Sequence, residues 1–275
     1  MDEMFNLITL VLVPKGGYMK FLRVLFISLM SMIFVVGGAC AESALNQILS
    51  SGKLKAGTTG DFNPFSVRDP ATNKYKGYDI DIMTELANDL GVEIEFVPTD
   101  WKTIVNGVVA GKYHITGSAS IKPSRMKAAG FSESYLAVNF KPFTTTDKVD
   151  NFKGWDSINK NGVKVATTLG TAMEPLVKAW FPNASIKSVE APARGYQEVL
   201  AGRADVFVTS NLEGSTLKAK YSNVKEISID APRSPTPLAM LLPQSDQVWI
   251  NFVNHWIEIK KAKGYFKKTA DKWGL

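Results

Sequence analysis

Short β-type runs that alternate with amphipathic segments constrain this chain more than any other feature. Residues 54–58, 92–97 and 113–115 read as strands. Between them, Ile80, Ile82, Met83, Leu86 and Leu90 recur at helical spacing, Gly91 stands where a helix C-terminus favours a left-handed residue, and 102–110 reads as a second helix. A second series follows Asn161-Gly162, with strands at 163–166, 185–189, 204–208 and 224–227 and helices at 173–180, 196–201 and 212–220. Residues 248–273 read as two helices broken at Lys263-Gly264. Strands alternating with helices imply parallel sheets covered on both faces. Two such series predict two α/β lobes, one made of 42–141 plus 237–275 and the other of 142–236. The crossings fall near 140–144 and 234–239, extended segments next to a proline.

Residues 1–41 differ in kind. Met19-Lys20-Phe21-Leu22-Arg23 is a basic start, only Ser28 and Ser31 interrupt the apolar run 24–36, and Ala39-Cys40-Ala41 is a small-x-small pattern. These features predict a secretory signal peptide cleaved before Glu42, with Met19 as a second candidate start. The run is shorter than the roughly 20 residues of a spanning helix. Cys40 is the only cysteine, and it would leave with the leader. Gly37-Gly38-Ala39 before it lacks the leucine of a lipidation site, so the expectation is release into the periplasm rather than a lipid tether.

Hydrophobic residues at 45% and charged residues at 21% supply an ordinary core and exclude a disordered chain. The net charge of +6 is spread thinly, and its densest part, Lys260-Lys261-Ala262-Lys263 with Lys267-Lys268, lies on an amphipathic helix. That stretch reads as a solvated face, so no nucleic-acid partner is expected. His114 and His255, with no cysteine in the mature chain, provide no typical zinc set, and neither a Walker loop nor a dinucleotide fingerprint is present. No metal and no cofactor is expected.

Loops at the carboxyl ends of strands are where open α/β sheets bind ligands. Thr58 to Phe65 places Asp61 and Phe62 there, and Trp101 follows the next strand as an opposing apolar wall. Ser120 to Arg125 brings a guanidinium, which grips a carboxylate by two parallel hydrogen bonds. Thr167 to Thr171, including Thr168, joins a strand to a helix through Gly170, and backbone N–H groups at a helix start form an anion site.

Several runs carry a wider resemblance: Gly77-Tyr78-Asp79-Ile80-Asp81, Ser120 to Arg125 followed by Phe131 to Tyr135, Gly202-Arg203-Ala204-Asp205, and the closing Lys263-Gly264-Tyr265 to Trp273-Gly274. With these motifs in order over 45–275, the chain resembles the family 3 extracellular solute-binding proteins of polar amino-acid ABC transporters. The resemblance implies a type II periplasmic binding fold, two α/β lobes with a ligand cleft and a two-strand hinge. It also implies a monomer that passes a small carboxylate-bearing, amino-acid-like solute to an ABC permease. Thr58 to Ser66, Pro98 to Trp101 and Glu213 are similar to the cyclohexadienyl dehydratases built on the same scaffold. There Glu213 would be the general acid that protonates a leaving hydroxyl of prephenate or arogenate, a role suited to a carboxyl whose pKa a dry cleft raises.

The sequence departs from that pattern at Ser210, where amino-acid binders and dehydratases place an Asp for the ligand's ammonium, and at 167–172, where the dehydratases are glycine-rich with asparagines. A hydroxyl does not compensate a buried ammonium. Either Glu213 or Asp61 takes over that role, or the ligand is not an ordinary α-amino acid. The expected mechanism is closure. Ligand meets Asp61, Phe62, Trp101, Ser120 and Arg125 first, and the other lobe then brings Thr168, Thr171, Ser210 and Glu213.

Overall fold

A computed structural model describes residues 42–275, so the leader expected over 1–41 lies outside the described residues. Helix α1 (Ala44–Ser51) leads into β1 (Lys53–Thr58), and a small antiparallel sheet follows, made of β2 (Asp61–Phe62), β3 (Ser66–Arg68) and β4 (Tyr75–Lys76). Next come α2 (Tyr78–Leu90), β5 (Glu93–Pro98), α3 (Ile104–Val109), β6 (Ile115–Ser120), α4 (Pro123–Met126), β7 (Gly130–Phe131) and the long β8 (Leu136–Thr145). The second series is β9 (Lys164–Thr168), α5 (Met173–Trp180), β10 (Ser185–Val189), α6 (Gly195–Leu200), β11 (Val206–Ser210), α7 (Asn211–Lys220) and β12 (Val224–Glu226). The chain returns through β13 (Arg233–Leu242) and ends in α8 (Gln247–Ala262) and α9 (Tyr265–Trp273).

The helix over 173–180 and the strand over 185–189 fall where the periodicity puts them. Helix α2 buries Ile80, Ile82, Met83 and Leu86 on one face. It ends at Gly91, whose φ of 69° lets its N–H reach back to the carbonyls of Ala87 and Asn88. The strand expected at 113–115 differs, because pairing begins at Ile115 and runs to Ser120, carrying the backbone up to the cavity. The turn-rich stretch after Asp69 holds β4, which pairs with β3.

The two series do not build separate sheets. One path runs β10-β9-β11-β8-β13-β6-β1-β5. The flanking strands are parallel, as expected, and β8 and β13 form an antiparallel pair in the middle. Both chain crossings lie in that pair. Its register shifts between Arg233 and Thr236, where Ser234 takes a φ of +49° beside Pro235. The strands on either side of this pair, with their helices, make up two α/β units that share the one sheet.

Ser43–Leu275 form one compact unit. The tail helices return to the first series: Trp249 is fully buried and donates through Nε1 to the His114 carbonyl at 3.1 Å. Lys260, read as part of a solvated face, is instead buried and bonds Asp89 at 2.7 Å as well as Glu85.

Candidate functional site

Phe62, at the end of β2, stacks on Phe65 with ring centroids 4.3 Å apart and meets the Trp101 ring edge-on at 5.7 Å. Phe62 and Trp101 form the apolar wall of a cavity at the carboxyl ends of the strands. The Trp101 indole N–H donates to both Asp61 oxygens at 3.0 Å. Asp61 is therefore bound into the wall and does not line the cavity itself.

Arg125 follows Pro123, the first residue of α4, and is 4% exposed. Its Nη1 donates to the Ser120 carbonyl at 3.3 Å, and its Nη2 has no hydrogen-bond partner among the described residues. Burial lowers its pKa to about 10, which leaves it a cation at neutral pH. A desolvated guanidinium with a neutral carbonyl as partner is suited to receive an anion.

From the second α/β unit come Thr171, Arg194 and Ser210. The loop after β9 corrects one expectation. Gly170 N–H donates to the Glu174 carboxylate at 2.8 Å, Leu169 N–H to the Val189 carbonyl at 2.8 Å, and the Thr168 hydroxyl accepts from Gly195 N–H at 3.2 Å. The chain's own Glu174 thus takes the anion site read at this helix start, and Thr168 turns into a neighbouring cavity. Gly170 matters for another reason. Its φ is +79°, and a Cβ there would lie 2.7 Å from the backbone nitrogen of Lys102, so the two units approach within contact at this point. Lys102 also bridges to Glu190 across the same gap at 2.6 Å.

Arg194, which the strand-end loop rule had not singled out, is 4% exposed and lines both cavities. Its Nη2 donates to Glu213 Oε2 at 2.6 Å, and its Nη1 stands 3.8 Å from Asp61. Burial would depress its pKa, but Glu213 and Asp61 outweigh that and raise it. Its guanidinium carbon sits 5.7 Å from the Phe62 ring centroid. Glu213 is 1% exposed and also accepts from the Thr209 hydroxyl. Burial raises its pKa, against the opposing pull of Arg194. Ser210 caps α7 by accepting from Glu213 N–H at 3.0 Å.

The structure therefore gathers Phe62, Trp101, Ser120, Arg125, Thr171 and Ser210 around one cavity, and sets Asp61, Thr168 and Glu213 behind its walls. A signal for Arg194 was present: Ala193-Arg194-Gly195 lies between a strand and a helix, at a carboxyl end like the other site loops. Val138, Phe140 and Leu238, from β8 and β13, supply apolar lining that no loop rule selects. Among the described residues, no group of three or more His, Cys, Asp or Glu side chains converges to hold a metal ion.

An interrupted α/β sheet with a cavity between its two units is the architecture of periplasmic binding proteins. The chain belongs to the bacterial extracellular solute-binding proteins, family 3, whose model matches residues 54–275. Among similar proteins, the cyclohexadienyl dehydratase of Pseudomonas aeruginosa is 28% identical over 233 residues, 84% of this chain and 86% of that one. The L-cystine-binding protein TcyA of Bacillus subtilis is 26% identical over 235 residues, 82% of each chain. Among solved structures, an ancestral amino acid-binding protein described as a precursor of cyclohexadienyl dehydratase is 35% identical, with a TM-score of 0.78 over 84% of this chain and 99% of its own.

Proposed function

We propose that the chain is a periplasmic binding protein, exported through a cleaved leader, that captures a small carboxylate-bearing solute and presents it to an ABC permease. The observation that carries this reading is Arg125, a buried cation with an unpartnered Nη2 that lines a cavity walled by both α/β units. Relatives in the same family support it, since several are named for amino-acid binding. The ligand carboxylate bonds Arg125 and the Ser120 hydroxyl, against the rings of Phe62 and Trp101. The lobes, 42–141 with 237–275 and 142–236, then close about β8 and β13, bringing Thr171, Arg194 and Ser210 onto the ligand. Closure is a population shift drawn by contacts that exist only when both lobes touch the same molecule.

Titration calorimetry of the purified protein with small carboxylates, in parallel with Arg125→Ala, tests this. Binding in the wild type and none in the folded variant is the expected result. Equal affinities would remove Arg125 from the site.

A second reading, dehydration of prephenate or arogenate with Glu213 as general acid, draws support from the dehydratase relative and from the raised pKa of the buried carboxyl. It requires Glu213 to leave Arg194 and Thr209 and reach the cavity. Phenylpyruvate formation from prephenate that disappears in Glu213→Gln would establish it, and no turnover would leave the binding protein standing.

A further inference from the structure

We infer that Arg194 is a second ligand anchor, and that the ligand is a small organic acid whose second polar group is an acceptor, a carboxylate or carbonyl, in place of an ammonium. This rests on the binding-protein reading and deepens it.

The buried polar atoms of the cavity wall are unevenly matched. Those without a hydrogen-bond partner among the described residues are Arg125 Nη2 and Arg194 Nε and Nη1, all donors. Behind this wall both Asp61 oxygens take the Trp101 indole N–H, and on it Ser210 Oγ takes the Glu213 N–H. Among the described residues, the one buried carboxylate oxygen without a partner, Glu213 Oε1, borders the neighbouring cavity, which Arg194 and the unpartnered Thr167 hydroxyl also line. A ligand that completes this wall brings acceptors.

Charge points the same way. An ammonium entering the cavity would share it with two buried guanidinium groups and would find the Ser210 hydroxyl in place of a carboxylate. Arg194 is also held ready, by Glu213 at 2.6 Å on one side and the Phe62 ring at 5.7 Å on another, so little freedom is lost when it binds. Arg125 follows β6 and Arg194 follows β10. A ligand with an acceptor at each end therefore ties one α/β unit to the other.

Two series of probes test the inference by calorimetry on the purified protein: phenylalanine, phenylpyruvate and benzylmalonate, which share a benzyl group, then 2-aminopentanoate, 2-oxopentanoate and glutarate, which share a five-carbon chain. The expected result is that an oxo acid or diacid binds at least about 10-fold tighter than the amino acid of its series, because the amino acid leaves Arg194 Nε and Nη1 without a hydrogen-bond acceptor. Arg194→Gln should bring that ratio to about one while Arg125-dependent binding persists. An amino acid that is the tightest member of its series overturns the inference in the wild type alone, whether or not the variant folds. Amino-acid preference with Arg125 dependence intact defeats only the inference. No Arg125-dependent binding of any probe defeats the binding reading and the inference together.

Discussion

Replacing Glu213 with leucine is the sharpest test of the buried charge cluster. The side chain is 1% exposed and accepts from Arg194 at 2.6 Å and from Thr209. Its loss strands a guanidinium that is 4% exposed, with Asp61 at 3.8 Å as the remaining counter-charge. Removing one partner of a buried pair costs about 3–5 kcal/mol, because the other charge stays desolvated. A domain of this size loses about 2–4 °C of Tm per kcal/mol, so Glu213→Leu should melt about 6–20 °C below the wild type. Converting Arg194 to methionine in the same chain removes the stranded charge, and the double variant should recover at least half of the loss. Thermal melts and urea titrations of the four proteins complete the cycle. A Glu213→Leu shift below about 3 °C, or simple additivity in the double variant, would refute the argument that Arg194 depends on Glu213.

Three further outcomes follow from other sites. Arg125→Ala should fold and lose at least about 30-fold in carboxylate affinity, since breaking a buried charge-assisted contact costs about 2–5 kcal/mol; unchanged calorimetry would contradict it. Burial pushes the pKa of Asp79 up to about 7, so its neutral form is favoured in the fold; this contribution is complete below the unfolded value of 3.8 and is lost as pH rises through 7. A shift of about three units is on the order of 4 kcal/mol, so Asp79→Asn should gain on the wild type by that amount from pH 4 to pH 8, and parallel urea midpoints would refute it. Gly214→Ala would place a Cβ 2.0 Å from the ring of Phe143, which is fully buried against Phe207. Overpacking there should cost about 1–3 kcal/mol in chemical denaturation, and a neutral result would contradict the close approach of α7 to β8.

The alternation of apolar runs and amphipathic segments determined that this chain would be α/β, and it placed α5 and β10 to the residue, because burial on a sheet or a helix face imposes a local period that sequence carries directly. The same logic reached the cavity: loops at strand ends supplied Phe62, Trp101, Arg125 and Thr171. Tertiary structure alone decided what those side chains face. Asp61 and Trp101 meet across the first series, Arg194 reaches Glu213 and approaches Asp61 from a different element, and Glu174 takes the N–H of Gly170. The joining of both series into one sheet through β8 and β13 was equally hidden. Hydrogen bonds and charge pairs of this kind form between residues distant in the chain, and no local period records which donor will find which acceptor when water is excluded.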